Sequence, residues 1–204
     1  RSLSAILGDQ ESVIREKLTQ KNRRFTWLQR NLTPAQATAI RALRASGLYF
    51  RKEMKRFYPT GSDMAAILGF TGVDGVGLEG LEAQHNKLLA GASGEELQVV
   101  DALARPYSPD RILLKEPVPG HDLMLTLDKT VQFLATREVQ RSIREEQALW
   151  GAAVIMNVHT GDILAMVSEP AFNPHRFHET SSENRRNRCT AQLIEPGSTF
   201  KPVT

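Results

Sequence analysis

The chain has one cysteine, Cys189, in 204 residues. That excludes a disulfide scaffold, because a bridge within one chain needs two thiols. No apolar run approaches the ~18 residues that would mark a transmembrane helix. No secretory signal is visible either. Arg1 opens straight into a helical pattern, so any export signal is expected upstream. Aromatics are scarce at 6%, and the net charge is only +3. With 41% hydrophobic and 24% charged residues the composition is that of a folded chain, not a disordered one. The length suits one middling domain or two small ones.

The small net charge hides an asymmetry. Residues 1–60 hold 13 Lys/Arg and 4 Asp/Glu, whereas residues 61–204 hold 13 and 19. A basic first third fits nucleic acid, an anionic membrane surface or an ordinary solvated face. Its aromatics (Phe25, Trp27, Tyr49, Phe50, Phe57, Tyr58) are alternating or paired, which suits strand packing as well as base stacking.

Periodicity predicts an amphipathic helix over 3–20, strands over 24–30 and 48–58, and a helix over 35–46. Thr33-Pro34 starts that second helix and Gly47 stops it. A short helix over 62–68 ends near Gly69, and a further helix is expected over 78–89. Short strands are expected over 96–100, 112–115 and 122–127. Asp128 caps a long helix running to about Gln147. Residues 152–158 and 163–167 flank His159-Thr160-Gly161-Asp162 and read as a hairpin. Residues 169–190 are polar and read as a long surface connection. Glu195-Pro196-Gly197-Ser198 looks like the opening of a helix, and the chain stops one turn later. A single turn has little to bury, so the chain is expected to be a piece of something longer.

Three constellations could carry chemistry. Gly75-Val76-Gly77-Leu78-Glu79-Gly80 matches G-x-G-x-x-G, but Thr71-Gly72-Val73-Asp74 before it is turn-like where a dinucleotide site needs a buried strand. The plain reading is a tight turn feeding a helix, with Glu79 and Glu82 near the helix start. His175, His178, Glu179 and Cys189 could suggest a metal, yet their spacing is loose and does not imply aligned ligands. Ser198-Thr199-Phe200-Lys201 is S-x-x-K. Twelve serines and eight lysines in 204 positions give about 0.5 such matches by chance, so the motif alone is weak. Ser198 could simply cap a helix. On a helix, however, i and i+3 share a face, so Lys201 could lie near the Ser198 hydroxyl. A serine becomes a nucleophile when a base takes its proton, and a lysine can be that base if its pKa is lowered.

The surroundings raise this last reading. Glu195-Pro196-Gly197-Ser198-Thr199-Phe200-Lys201-Pro202, with Arg186-Asn187-Arg188 upstream, resembles the active-site serine segment of class B penicillin-binding proteins. Residues 151–174 resemble the strand pair that precedes that serine, and 122–139 the first helix region of the transpeptidase domain. Arg56-Phe57-Tyr58-Pro59-Thr60-Gly61 and residues 77–94 resemble two signatures of the family's non-catalytic module. Residues 25–30 are similar to a segment of its septal, cell-division branch.

The resemblance implies an α+β fold. A non-catalytic pedestal module (dimerisation-type) over 1–117 precedes the incomplete start of a serine β-lactamase-like α/β transpeptidase domain over 118–204, with the boundary at Pro117–Gly120. It implies a D,D-transpeptidase in which Ser198 is acylated and Lys201 is its base, with no metal or organic cofactor. Peptidoglycan stem peptides ending in D-Ala-D-Ala would be the substrates and β-lactams the inhibitors. Membrane proteins of the division machinery would be partners, with nucleic acid excluded. The implied place is the periplasmic side of the bacterial inner membrane, with an anchor upstream of Arg1. The family's second and third motifs would lie beyond Thr204, so these residues alone are expected to be inactive. Cys189 stands where a small, unreactive residue is expected, and a lone thiol there should be buried. Two other readings share some features. One is a β-lactam sensor or serine β-lactamase, which also uses S-x-x-K; the other is a scaffold module of the division machinery.

Overall fold

The computed structural model describes residues 2–20, 25–100 and 106–195. They divide into two compact units, residues 1–55 and 56–204. The expected boundary at 117–120 therefore falls inside the second unit.

In the first unit the single helix expected over 3–20 is two helices, α1 (Ser2–Leu7) and α2 (Glu11–Thr19). Gly8 between them has φ 79°, a left-handed conformation that ends α1. The next helix, α3 (Pro34–Ala42), starts as expected. Thr33 and Gln36 form a reciprocal capping box, and proline occupies the first turn. It ends before Gly47, because Arg44 already turns the chain with φ 48°. Leu7, Ile14 and Ile40 are the core, so each helix contributes one buried side chain. The strands expected over 24–30 and 48–58 are not there: residues 25–30 and 48–58 are irregular. Alternation describes a side chain's fit to a sheet face, but a strand also needs a partner for its peptide groups. Side chains hold these segments instead. Lys17 Nζ donates to the Leu28 carbonyl at 2.9 Å, and Arg30 pairs with Glu53 at 2.9 Å.

The second unit begins with a tight turn at Tyr58–Gly61 and a one-turn helix, α4 (Ala65–Leu68). A small antiparallel hairpin follows, β1 (Phe70–Thr71) with β2 (Gly77–Glu79). The G-x-G-x-x-G stretch is the end of the hairpin turn, strand β2 and the first residue of α5 (Gly80–Gln84), so a strand stands between the expected turn and helix. Two glycines explain why no other residue would serve. Gly69 (φ 74°) and Gly80 (φ 63°) lie against each other: a Cβ on Gly69 would collide with the Glu79 carbonyl, and one on Gly80 with the Gly69 amide nitrogen. The helix expected over 78–89 is accordingly broken into β2, α5 and α6 (Asn86–Ala90). A ribbon of β3 (Glu95–Val100) and β4 (Pro106–Lys115) comes next. Residues 122–127, expected as a strand, form none. The chain there is tacked to the next hairpin through Thr126 Oγ1, which donates to the Ile163 carbonyl at 2.7 Å.

The best-formed part is a helix on a hairpin. Helix α7 (Lys129–Glu145) packs on β5 (Gly151–Met156) and β6 (Ile163–Glu169), close to the expected bounds. Val131, Ala135 and Val139 of α7 meet Ala153, Ala165 and Val167 across the interface. The run 169–190 is not a plain surface connection. It contains a 3₁₀ helix (Pro174–Glu179) and two one-turn helices, α8 (Ser182–Arg185) and α9 (Arg188–Ala191). Phe172 is buried, and Phe177 stacks on Phe70 with centroids 4.0 Å apart. The segment therefore completes the core around Tyr58, Ala65 and Phe70.

Candidate functional site

Ser198 and Lys201, the residues singled out as nucleophile and base, lie outside the described residues. What the structure does describe is the approach to them, residues 163–195, and the elements that fix its path.

That path is built from α7 outward. Asp128 caps α7: its Oδ1 accepts from the amides of Thr130 and Val131 at 2.8 and 2.9 Å. One turn on, Gln132 is fully buried. Its amide donates to the carbonyls of Asp63 (2.7 Å) and Met166 (3.0 Å) and accepts from the Met166 amide (2.8 Å). The Asp128 amide donates to the Leu164 carbonyl at 2.8 Å. Together they cover peptide groups of β6 that would otherwise be unpaired. The end of β6 is tied in the same manner: Gln140 donates to the buried Glu169 carboxylate at 2.9 Å, and the Ala171 amide at 2.8 Å.

Alternation along β6 turns Ala165 and Val167 toward α7 and Met166 and Ser168 away from it. The second pair receives Arg186-Asn187-Arg188. The buried Ser168 hydroxyl donates to the Arg186 carbonyl (3.2 Å) and accepts the Arg188 amide (3.1 Å). Asn187 Nδ2 reaches Met166 Sδ at 3.2 Å, while Asn187 Oδ1 caps α9 through the Cys189 amide. The Cys189 thiol donates to the Val167 carbonyl at 3.0 Å. Burial pushes that thiol's pKa up, which keeps it protonated and poorly nucleophilic. The hairpin is thus packed between α7 and α9, and residues 192–195 continue from it toward Ser198.

The two signatures of the non-catalytic module meet on one carboxylate. Arg56 pairs with Glu82 at 2.9 Å, and the Tyr58 hydroxyl donates to the same group at 3.4 Å. Tyr58 Oη also accepts the Thr71 amide at 3.0 Å, and burial pushes its phenol up. Asn86 Oδ1 accepts the Gly77 amide at 2.8 Å. The histidines of the loose metal constellation have other employment: His175 stacks on Phe57 and packs on Tyr58, and His178 sits edge-on to Phe177. Among the described residues no three His, Cys, Asp or Glu gather as ligands.

Sequence reasoning missed Gln132, Ser168 and Arg185, and read Glu79 only as a carboxylate near a helix start. Gln132 left a signal, a polar residue within the apolar stripe of α7. The others left none, because their partners are distant in sequence.

Comparison with known proteins covers nearly all of the chain. The family model described as "Penicillin-binding Protein dimerisation domain" matches residues 1–125, and "Penicillin binding protein transpeptidase domain" matches 151–204. The probable peptidoglycan D,D-transpeptidase PenA of Neisseria gonorrhoeae is 39% identical over 98% of this chain and 35% of its own length. The peptidoglycan D,D-transpeptidase FtsI of Escherichia coli K12 is 37% identical over 88% of this chain and 30% of its own. The chain thus spans about a third of the length of these relatives. Among solved structures, a peptidoglycan synthetase from Bifidobacterium adolescentis superposes with a TM-score of 0.61 at 28% identity, covering 98% of this chain and 36% of that one. Penicillin binding protein 3 of Mycobacterium tuberculosis, complexed with aztreonam, gives 0.59 at 30% identity over 72% and 29%.

Proposed function

This chain belongs to the penicillin-binding proteins, and from that membership we propose that its parent is a peptidoglycan D,D-transpeptidase of the septal type. The carrying observation is order: pedestal signatures, α7, the β5–β6 hairpin and the Ser168-held Arg186–Arg188 segment run in sequence into Ser198-x-x-Lys201. On this reading residues 1–117 are the pedestal module and 118–204 open the catalytic domain.

The chemistry is acyl transfer. Lys201 takes the proton of Ser198, and Oγ attacks the carbonyl of the penultimate D-Ala of a stem peptide. The bond to the terminal D-Ala breaks, its nitrogen takes a proton, and an ester remains on Ser198. An amine of a neighbouring stem peptide attacks that ester, forms the cross-link and returns the hydroxyl. A β-lactam acylates the same Ser198 by opening its ring, so no leaving group departs. The working place is the periplasmic side of the inner membrane, beside membrane proteins of the division machinery.

Labelling the full-length enzyme with a fluorescent penicillin tests this. Wild type is expected to gain one penicilloyl group, Ser198→Ala none, and Lys201→Ala to react ~10²-fold or more slowly. A Ser198→Ala protein that still labels would refute the assignment.

A further inference from the structure

We infer that Arg185 is a positioning residue for the proposed acyl transfer, fixing the chain that leads to Ser198 against the β1–β2 hairpin; the inference rests on the functional reading above. The surroundings of Arg185 are unlike those of a surface arginine. Its side chain is only 15% exposed. Nη2 and Nε donate to the Glu79 carboxylate at 2.8 and 3.1 Å. Nη1 donates to the carbonyls of Phe177 (3.2 Å) and Thr180. The guanidinium lies 5.5 Å from the Phe70 ring centroid. A planar fork with several donors can satisfy these partners at once; a lysine cannot.

The position in the chain gives this node its consequence. Glu79 ends β2 and adjoins the Gly69–Gly80 crossing, where two backbone segments pack too closely to admit a Cβ. Arg185 ends α8, and the next residue is already held by Ser168 of β6. Residues 185 and 186–188 are therefore anchored to two different hairpins, with no free residue between them. A displacement of β2 relative to β6 passes directly into 186–191. Acyl transfer is sensitive to misplacement of the order of 1 Å, so slack at this node should appear in the chemical step before it appears in binding.

The test uses the full-length enzyme with the variants Glu79→Ala and Arg185→Lys. Thr33→Ala serves as a comparison, since it weakens the α3 cap in the first unit without touching the elements that lead to Ser198. Three quantities are read: the first-order acylation constant with a fluorescent penicillin separately from the non-covalent constant, the melting temperature, and amide exchange over 186–195. Both node variants should acylate about tenfold more slowly with an unchanged non-covalent constant, and exchange over 186–195 should quicken. Thr33→Ala should melt lower but acylate as wild type does. Unchanged exchange over 186–195 overturns the inference, and so does an equal slowing in Thr33→Ala. If wild type itself is not acylated, the functional reading fails; exchange over 186–195 then still decides whether Arg185 holds this segment.

Discussion

At the scale of single residues, the approach to Ser198 is held by polar side chains that work because they are buried and fully partnered. Gln132 is the clearest instance. An amide inside an apolar interface is costly unless its donors and acceptor are all used, and here the carbonyls of Asp63 and Met166 and the Met166 amide use them. Cys189 is a second instance with a titration consequence, although it is half-buried and not fully buried as expected. Its thiol donates to a strand carbonyl, and burial holds its pKa above that of a free cysteine, ~8.5. The unfolded chain therefore loses this proton first as pH rises, so between the two pKa values the folded state holds more protons. The resulting stability is present below about pH 8.5 and is lost as pH climbs through the raised folded value. Urea unfolding of wild type and Cys189→Ala from pH 7.5 to 9.5 checks it: wild type should lose stability relative to the variant across that window. Parallel curves would remove the raised thiol from the account. Maleimide labelling of folded protein at pH 7 should likewise be slower than that of the protein in urea.

Elements behave differently according to what holds them. Helix α7 and the β5–β6 hairpin were legible because their periods are clean and their caps and turn are local: Asp128 begins the helix and Asn157–Asp162 closes the hairpin. The β1–β2–α5 element was legible only as a turn leading to a helix. What the sequence could not show is that Gly69 and Gly80 touch. A direct consequence concerns Gly80→Ala. Its φ of 63° disfavours a Cβ, and the Gly69 amide nitrogen blocks the space. The expected loss is more than ~2 kcal/mol of stability, read by urea unfolding. Gly161→Ala shares a positive φ of 79°, but its Cβ meets nothing within 4 Å, so it should cost less. Equal losses would mean that φ alone, and not the crossing, sets the demand for glycine. The run 169–190 was misread for the opposite reason. Its contribution to the core rests on Phe172 and Phe177, scattered among polar residues, and its anchor Arg185 finds Glu79 106 positions away. Residues 25–30 and 48–58 carried a strand's alternation without a partner among the described residues. The site was legible as a motif at Ser198 and Lys201. The parts that steer the chain toward it were not, since each acts through a contact distant in sequence.

For the whole molecule, the charge asymmetry follows the division into compact units. Residues 1–55 hold 12 Lys/Arg and 4 Asp/Glu, and residues 56–204 hold 14 and 19. Some first-unit cations are internal fasteners: Arg15 pairs with Glu11, Lys17 with Asp9 and Arg30 with Glu53. Those three pairs take three of the unit's four acidic residues, so the surplus falls on the other Lys and Arg side chains. The same unit exposes apolar side chains: Phe25 at 62%, Tyr49 at 87% and Met54 at 85%. Arg41 covers the Phe50 ring from 4.9 Å, which leaves a mixed cationic and aromatic surface. A cation near an anionic bilayer contributes about 1 kcal/mol, and amphipathic rings favour the same interface. The 204-residue chain should therefore bind vesicles containing phosphatidylglycerol at low salt and ignore neutral phosphatidylcholine vesicles. Binding should vanish near 1 M salt, where the Debye length falls to ~3 Å. Co-sedimentation with the two vesicle types reads this directly, and a duplex DNA arm separates it from general polyanion affinity. If neutral vesicles bind as well, the exposed rings act without the charge. If DNA binds as tightly as the anionic vesicles, the surface recognises charge density alone and the preference for a membrane is wrong.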